Sequence, residues 1–155
     1  MNERYEPPSH FLRSIIRDEV PFIGPFGEGN VARLIAMTRD AHPANRDWAT
    51  LLLSQLERDT QEVRDALLAA ADDEHDYVRG EAILGLAQRA PSLALPLIAA
   101  ALQEDIVCLQ IFEAAAVAAH PSLIESLCHF TDGEDLIDEF ARDALAACEE
   151  AAKIM

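Results

Sequence analysis

Along most of this chain the apolar positions recur every three to four residues, which places them on one stripe of an α-helix. Phe11, Leu12, Ile15 and Ile16 form the first such stripe, with Ser9 placed to cap it and Pro21 to end it. The stretch Pro21-Phe22-Ile23-Gly24-Pro25-Phe26-Gly27-Glu28-Gly29 holds two Pro and three Gly and predicts an irregular loop. Asn30 is placed to cap a short helix carrying Val31, Leu34 and Ile35, broken at His42-Pro43. From Asn45 onward helix follows helix. They are expected near 46–57, from Asp59-Thr60-Gln61-Glu62 through Leu68, and near 76–89, 92–103, 106–119, 121–130 and 134–153. The Asp59 start has the form of a capping box, in which a short side-chain oxygen and a Glu three residues on satisfy the free amides reciprocally. No segment alternates with period two and β-branched residues are sparse, so no strand is expected.

The helices repeat. Pro91-Ser92-Leu93 returns as Pro121-Ser122-Leu123, 30 residues on, and the same shift carries Leu97 onto Leu127. Ala66-Leu67-Leu68-Ala69-Ala70-Ala71 overlays Pro96-Leu97-Ile98-Ala99-Ala100-Ala101, again at 30. Arg46 and Ala49 fall on Arg79 and Ala82 at a shift of 33, and Asp76-Tyr77-Val78 on Asp105-Ile106-Val107 at 29. Two helices per unit of about 30 residues mark an α-solenoid, in which each helical pair covers its apolar face only by stacking on its neighbour. The abundant Ala suits such interfaces, because Ala favours helix and loses no side-chain entropy.

The segment Asp76-Tyr77-Val78-Arg79-Gly80-Glu81-Ala82-Ile83-Leu84-Gly85-Leu86-Ala87 resembles the first helix of a HEAT-like repeat of the short bilin-lyase type. The resemblance implies that Asp76 and Arg79 brace successive repeats, that Val78 and Ala82 pack inward, and that Gly85 permits close helix approach. The unit at 45–71 keeps Arg46 and Ala49, whereas the unit at 105–130 has Cys108 and Ile111 at the Arg79 and Ala82 positions. The fold expected is therefore all-α, a short right-handed α-solenoid of HEAT-like two-helix repeats with helical end caps. Residues 1–44 form an N-terminal arm, capping helices and Pro/Gly loop. Residues 45–130 form the repeats, and 131–155 a C-terminal capping helix.

Composition narrows the choice of partner. The 155 residues hold 12 Lys+Arg against 28 Asp+Glu, a formal net charge of −16. A surface this negative repels phosphate, so neither nucleic acid nor an anionic membrane is an expected partner. A basic or mixed-charge protein is. Three Cys (Cys108, Cys128, Cys148) with no CxxC do not form a disulfide framework. The N-terminus is polar and no apolar run is long enough to span a bilayer, so a cytoplasmic location is expected.

Enzymes occur on this repeat, and the residues weigh against most of them. Deoxyhypusine hydroxylase holds iron with His-Glu pairs on first helices, and the corresponding pairs here are Gly80-Glu81 and Leu109-Gln110, without His. HEAT-like DNA glycosylases need a basic groove. A bilin lyase-like activity on a tetrapyrrole or its carrier protein remains as the alternative function, with Asp72, Asp73 and Glu74 as carboxylates and Cys108 or Cys128 as thiol. The competing account of Asp72-Asp73-Glu74-His75-Asp76 is an inter-repeat loop whose acids meet the next helix's dipole. His42 and His120 each precede Pro and suit helix capping better than catalysis. No cofactor is implied.

The expected function is a non-enzymatic protein-binding module or scaffold with an acidic surface. One concrete version is a stoichiometric inhibitor, such as a bacterial immunity protein neutralising a basic toxin. Candidate contacts begin with Trp48, the only Trp, which overlays Glu81 and Gln110 and so is expected at a solvent-facing position, unless it packs on the cap near Phe22 or Phe26. Phe22 and Phe26 either plug the solenoid end, the favoured reading, or present an apolar knob. Gln61, Glu62, Arg64 and Asp65 are expected on a concave face lined by second helices. Asp72, Asp73 and Glu74 complete the set.

Overall fold

The computed structural model describes residues 5–155. The first residues of the N-terminal arm expected over 1–8, up to Arg4, lie outside them. All regular structure among the described residues is helical. Helix α1 (His10–Ile16) starts as expected, with the Ser9 hydroxyl accepting from the Leu12 amide at 3.3 Å. It ends well before Pro21. Asp18 takes a left-handed conformation, and the amides of Asp18 and Glu19 turn back onto the Ile15 and Ser14 carbonyls. Helix α2 (Gly27–Met37) starts a turn earlier than Asn30, so the irregular loop is shorter than the Pro/Gly content predicts. The Asn30 amide instead holds the Pro21 carbonyl at 2.7 Å. Gly27 permits this start, because a Cβ there would lie 2.5 Å from the Phe22 carbonyl oxygen.

Helix α3 (Pro43–Gln55) is capped by His42, whose Nδ1 accepts from the Ala44 amide at 3.1 Å, and His120 does the same for Ser122 at 3.2 Å. Helix α4 (Gln61–Ala70) is capped by Thr60 rather than Asp59, which leaves Glu62 one position short of a capping box. Asp59 pairs with Arg64 instead, at 2.6 Å. Helices α5 (Asp76–Arg89), α6 (Pro91–Ala101) and α7 (Leu109–Ala118) follow, then α8 (Ile124–Leu127) between two 3₁₀ turns. Helix α9 (Leu136–Ile154) starts with a true capping box, Asp135 with Asp138.

Helices α1, α3, α5, α7 and α9 pack side by side in one row. Helix α2 lies against α3, α4 against α3 and α5, α6 against α5 and α7, and α8 against α9. This is a two-layer all-α solenoid. Small residues keep the row tight: Ala49, Ala82, Ala114, Ala115, Ala141 and Ala144 are all buried. Gly85 acts as the resemblance implies, since a Cβ there would lie 2.8 Å from the Ser54 Cβ on α3. Between the layers, Leu53, Val63, Leu67, Leu86, Ile98, Phe112 and Leu127 are sealed from solvent.

The loops brace successive repeats, with one change of residue. Arg46 Nε on α3 donates to Asp73 Oδ2 at 2.8 Å, across the repeat boundary. Arg79 repeats the pattern one unit on, reaching the Asp73 and Glu74 carbonyls and, at 3.6 Å, Glu104. The acid in the brace is therefore Asp73. The Asp76 carboxylate accepts from the Tyr77 amide beside it, at its own helix start.

Candidate functional site

The expected contact residues scatter over several surfaces. Trp48 is partly buried and stacks on Tyr5, centroids 6.2 Å apart, so it packs on the N-terminal arm rather than on Phe22 or Phe26. The inference that its overlay positions face solvent fails. Glu81 is 8% exposed and Gln110 half-buried, and the Gln110 amide donates to Glu81 Oε1 at 2.8 Å. The Pro/Gly loop divides: Phe22 packs on the core, whereas Phe26 is 72% and Ile23 84% exposed, so only Phe22 plugs. Gln61, Glu62 and Asp65 are exposed on α4, and Arg64 is half-buried. Asp72 and Glu74 face solvent, while Asp73 turns inward to Arg46 and is not free for a partner. Burial pushes the Asp73 carboxyl up, but the His75 amide and the Arg46 guanidinium outweigh it and hold it below the usual range.

A recess lies over the first-helix row, not over the second helices. It is an open groove of about 660 Å³ across α3, α5 and α7. Leu51, Leu56 and Leu84 give it an apolar floor, and Glu57, Asp59, Glu81 and Glu113 line it with carboxylates. None of Gln61, Glu62, Arg64 and Asp65 lines it. Its two cations are already engaged. Arg58 pairs with Glu28 and donates to the Phe22 carbonyl. Arg89 gives its guanidinium to five carbonyls, those of Leu53, Ser54, Leu56, Arg58 and Gly85.

That engagement is general beyond residue 44. Residues 45–155 hold 7 Lys+Arg and 22 Asp+Glu. Each of the seven, Arg46, Arg58, Arg64, Arg79, Arg89, Arg142 and Lys153, contacts a carboxylate or a carbonyl of the chain itself. Most of these carboxylates are exposed, and the outward field of the repeats is negative.

Glu81 is the least comfortable of these acids. Burial raises its pKa against the Gln110 hydrogen bond, and Asp47 and Glu113 add repulsion. Asp47 is likewise raised by burial. For an acid whose folded pKa is raised, the ionised form costs stability above that pKa, and the cost fades as pH falls towards the unfolded value. Glu81→Gln keeps the acceptor for Gln110 and removes the charge. Its thermal midpoint should exceed wild type at pH 7, and the gain should vanish below about pH 4. Melts at the two pH values check this.

The thiols and acids named for the bilin-lyase alternative are divided between surface and interior, with Cys128 exposed and Cys108 half-buried. Asp72 and Glu74 point outward while Asp73 points inward. Burial pushes the Cys108 thiol up, away from the thiolate a nucleophile needs. Among the described residues no three His, Cys, Asp or Glu side chains converge to hold a metal ion. No helix there is long and apolar enough to cross a membrane.

A family model of HEAT repeats matches residues 31–120, more than half of the chain. The chain belongs to the HEAT-repeat family. Protein YibA of Escherichia coli K12 is 27% identical to this HEAT-repeat chain over 117 residues, 76% of this chain and 39% of YibA. YibA of Escherichia coli O157:H7 matches to the same extent. The X-ray structure of Escherichia coli YibA superposes with a TM-score of 0.68 at 22% identity, covering 92% of this chain and 50% of that one. This HEAT-repeat chain thus spans half or less of the length of these relatives. The likeness establishes a shared fold.

Proposed function

We propose that this HEAT-repeat chain is a cytoplasmic, non-catalytic scaffold that binds a protein partner through a basic surface of that partner. The observation that carries the reading is the excess of 22 Asp+Glu over 7 Lys+Arg in residues 45–155, with most of those acids exposed. Such a field accelerates encounter with a cationic surface and disfavours anionic ones, so neither nucleic acid nor an anionic membrane is its target. A stoichiometric inhibitor of a basic toxin, an immunity protein, is the specific form of this function that suits a small acidic binder.

The test is affinity capture from the native host at low and at moderate salt, followed by identification of what is held. A basic protein retained in stoichiometric amount and released as salt screens the contact supports the reading. Retention of acidic proteins, or capture indifferent to salt, contradicts it. For the inhibitor form, the captured protein's own activity should titrate to zero at one equivalent of this chain. Undiminished activity would leave a scaffold and remove the inhibitor.

A further inference from the structure

We infer that the groove over α3, α5 and α7 is the docking site, and that its occupant is a helical segment of the partner carrying Arg or Lys beside apolar residues. The inference rests on the basic-partner reading and adds the place and the shape of the contact. Three observations lead to it. The groove joins three leucines, Leu51, Leu56 and Leu84, to four acids, Glu57, Asp59, Glu81 and Glu113. Four carboxylates share the groove with Arg58 and Arg89; Arg58 is already paired with Glu28 and Asp59 with Arg64, and Glu57, Glu81 and Glu113 are left without an ion-pair partner.

The third observation is Glu81 itself. It sits nearly buried on α5, bound through one oxygen to Gln110 and repelled by Asp47 and Glu113. A carboxylate held this way is relieved by an incoming cation, which converts a cost of the free protein into affinity for the partner. A metal ion does not answer this need, because these acids do not converge on one point. A guanidinium or ammonium on a side chain does, while its apolar neighbours settle on Leu51 and Leu84. Packed helices lie about 8–10 Å apart, so three of them span roughly 20 Å, which a helix of about 14 residues crosses.

The experiment is titration of the isotopically labelled full chain with a synthetic amphipathic peptide of about 16 residues built from Leu, Ala and Arg, followed by amide shifts. Saturable shifts centred on Leu51, Leu84, Gln88 and Glu113, suppressed by salt, support the inference. Glu113→Gln, at a half-buried position, should weaken the peptide by about fivefold, and Asp72→Asn on the loop edge by much less. Shifts centred on the 72–76 loop or on α4, or equal losses in both variants, overturn the site but leave a basic partner in place. No saturable shift anywhere overturns the helical occupant, whereas the basic-partner reading stands or falls separately, on the salt dependence of capture.

Discussion

Arg89→Ala should lower the stability of this fold by about 2–4 kcal/mol, a large share of the roughly 5–15 kcal/mol that holds a domain of this size together. Arg89 ends α5, yet four of its five carbonyl partners belong to the end of α3 and the turn after it: Leu53 at 3.1 Å, Ser54 at 3.1 Å, Leu56 at 2.6 Å and Arg58 at 2.9 Å. A helix leaves its last carbonyls without internal partners, and their dipoles favour a cation. One repeat thus supplies the C-terminal cap of the one before it. Removing the side chain strands carbonyls where water reaches them poorly. Arg89→Lys should recover less than half of the loss, because an ammonium presents no planar fork to carbonyls set around it. Denaturant melts of the three proteins measure the effect. An alanine variant within about 0.5 kcal/mol of wild type would show that the cap carries no weight.

The second large effect is expected at Phe112. Its ring is sealed in the core on α7 and meets Phe130 edge-on, centroids 5.2 Å apart. Phe112→Ala removes that burial and leaves a cavity between α7 and the C-terminal elements, at a cost of about 3–5 kcal/mol. At about 2–4 °C per kcal/mol for a chain of this length, the thermal midpoint should fall by roughly 6–20 °C. Phe112→Leu, which keeps most of the volume, should lose less than half as much. Equal losses for the two would mean that the ring's edge contact with Phe130, rather than the filled volume, sets the stability there.

The repeat period and the small-residue spacing carried most of the architecture, because stacking requires them at every turn. Ala49 and Ala82 are buried where the overlay puts them, and Gly85 stands where α3 comes closest. The groove was hidden for a physical reason. Overlay of Trp48, Glu81 and Gln110 suggested a solvent face from residue polarity alone, but Glu81 is buried because Gln110 on the neighbouring helix satisfies it. Pairing across a repeat boundary is invisible to periodicity. The exchange of Asp76 for Asp73 in the brace has a similar origin. Asp73 precedes α5 and Asp76 opens it, and only the loop's path decides which one faces Arg46. Arg89 did leave a trace: a cation in the last turn of its helix, four residues after Gly85. The division of the Phe22/Phe26 loop left none, since both rings follow Pro in the same short stretch.

Everything proposed for the groove depends on successive first helices being locked side by side through their loops. A double-mutant cycle at Arg46 and Asp73 probes that lock at the boundary it spans, where both side chains are little exposed, 12% and 11%. Arg46→Ala, Asp73→Ala and the double variant, melted at neutral pH, should give a coupling of about 1–3 kcal/mol. Losses that simply add would mean that the two repeats do not meet as described.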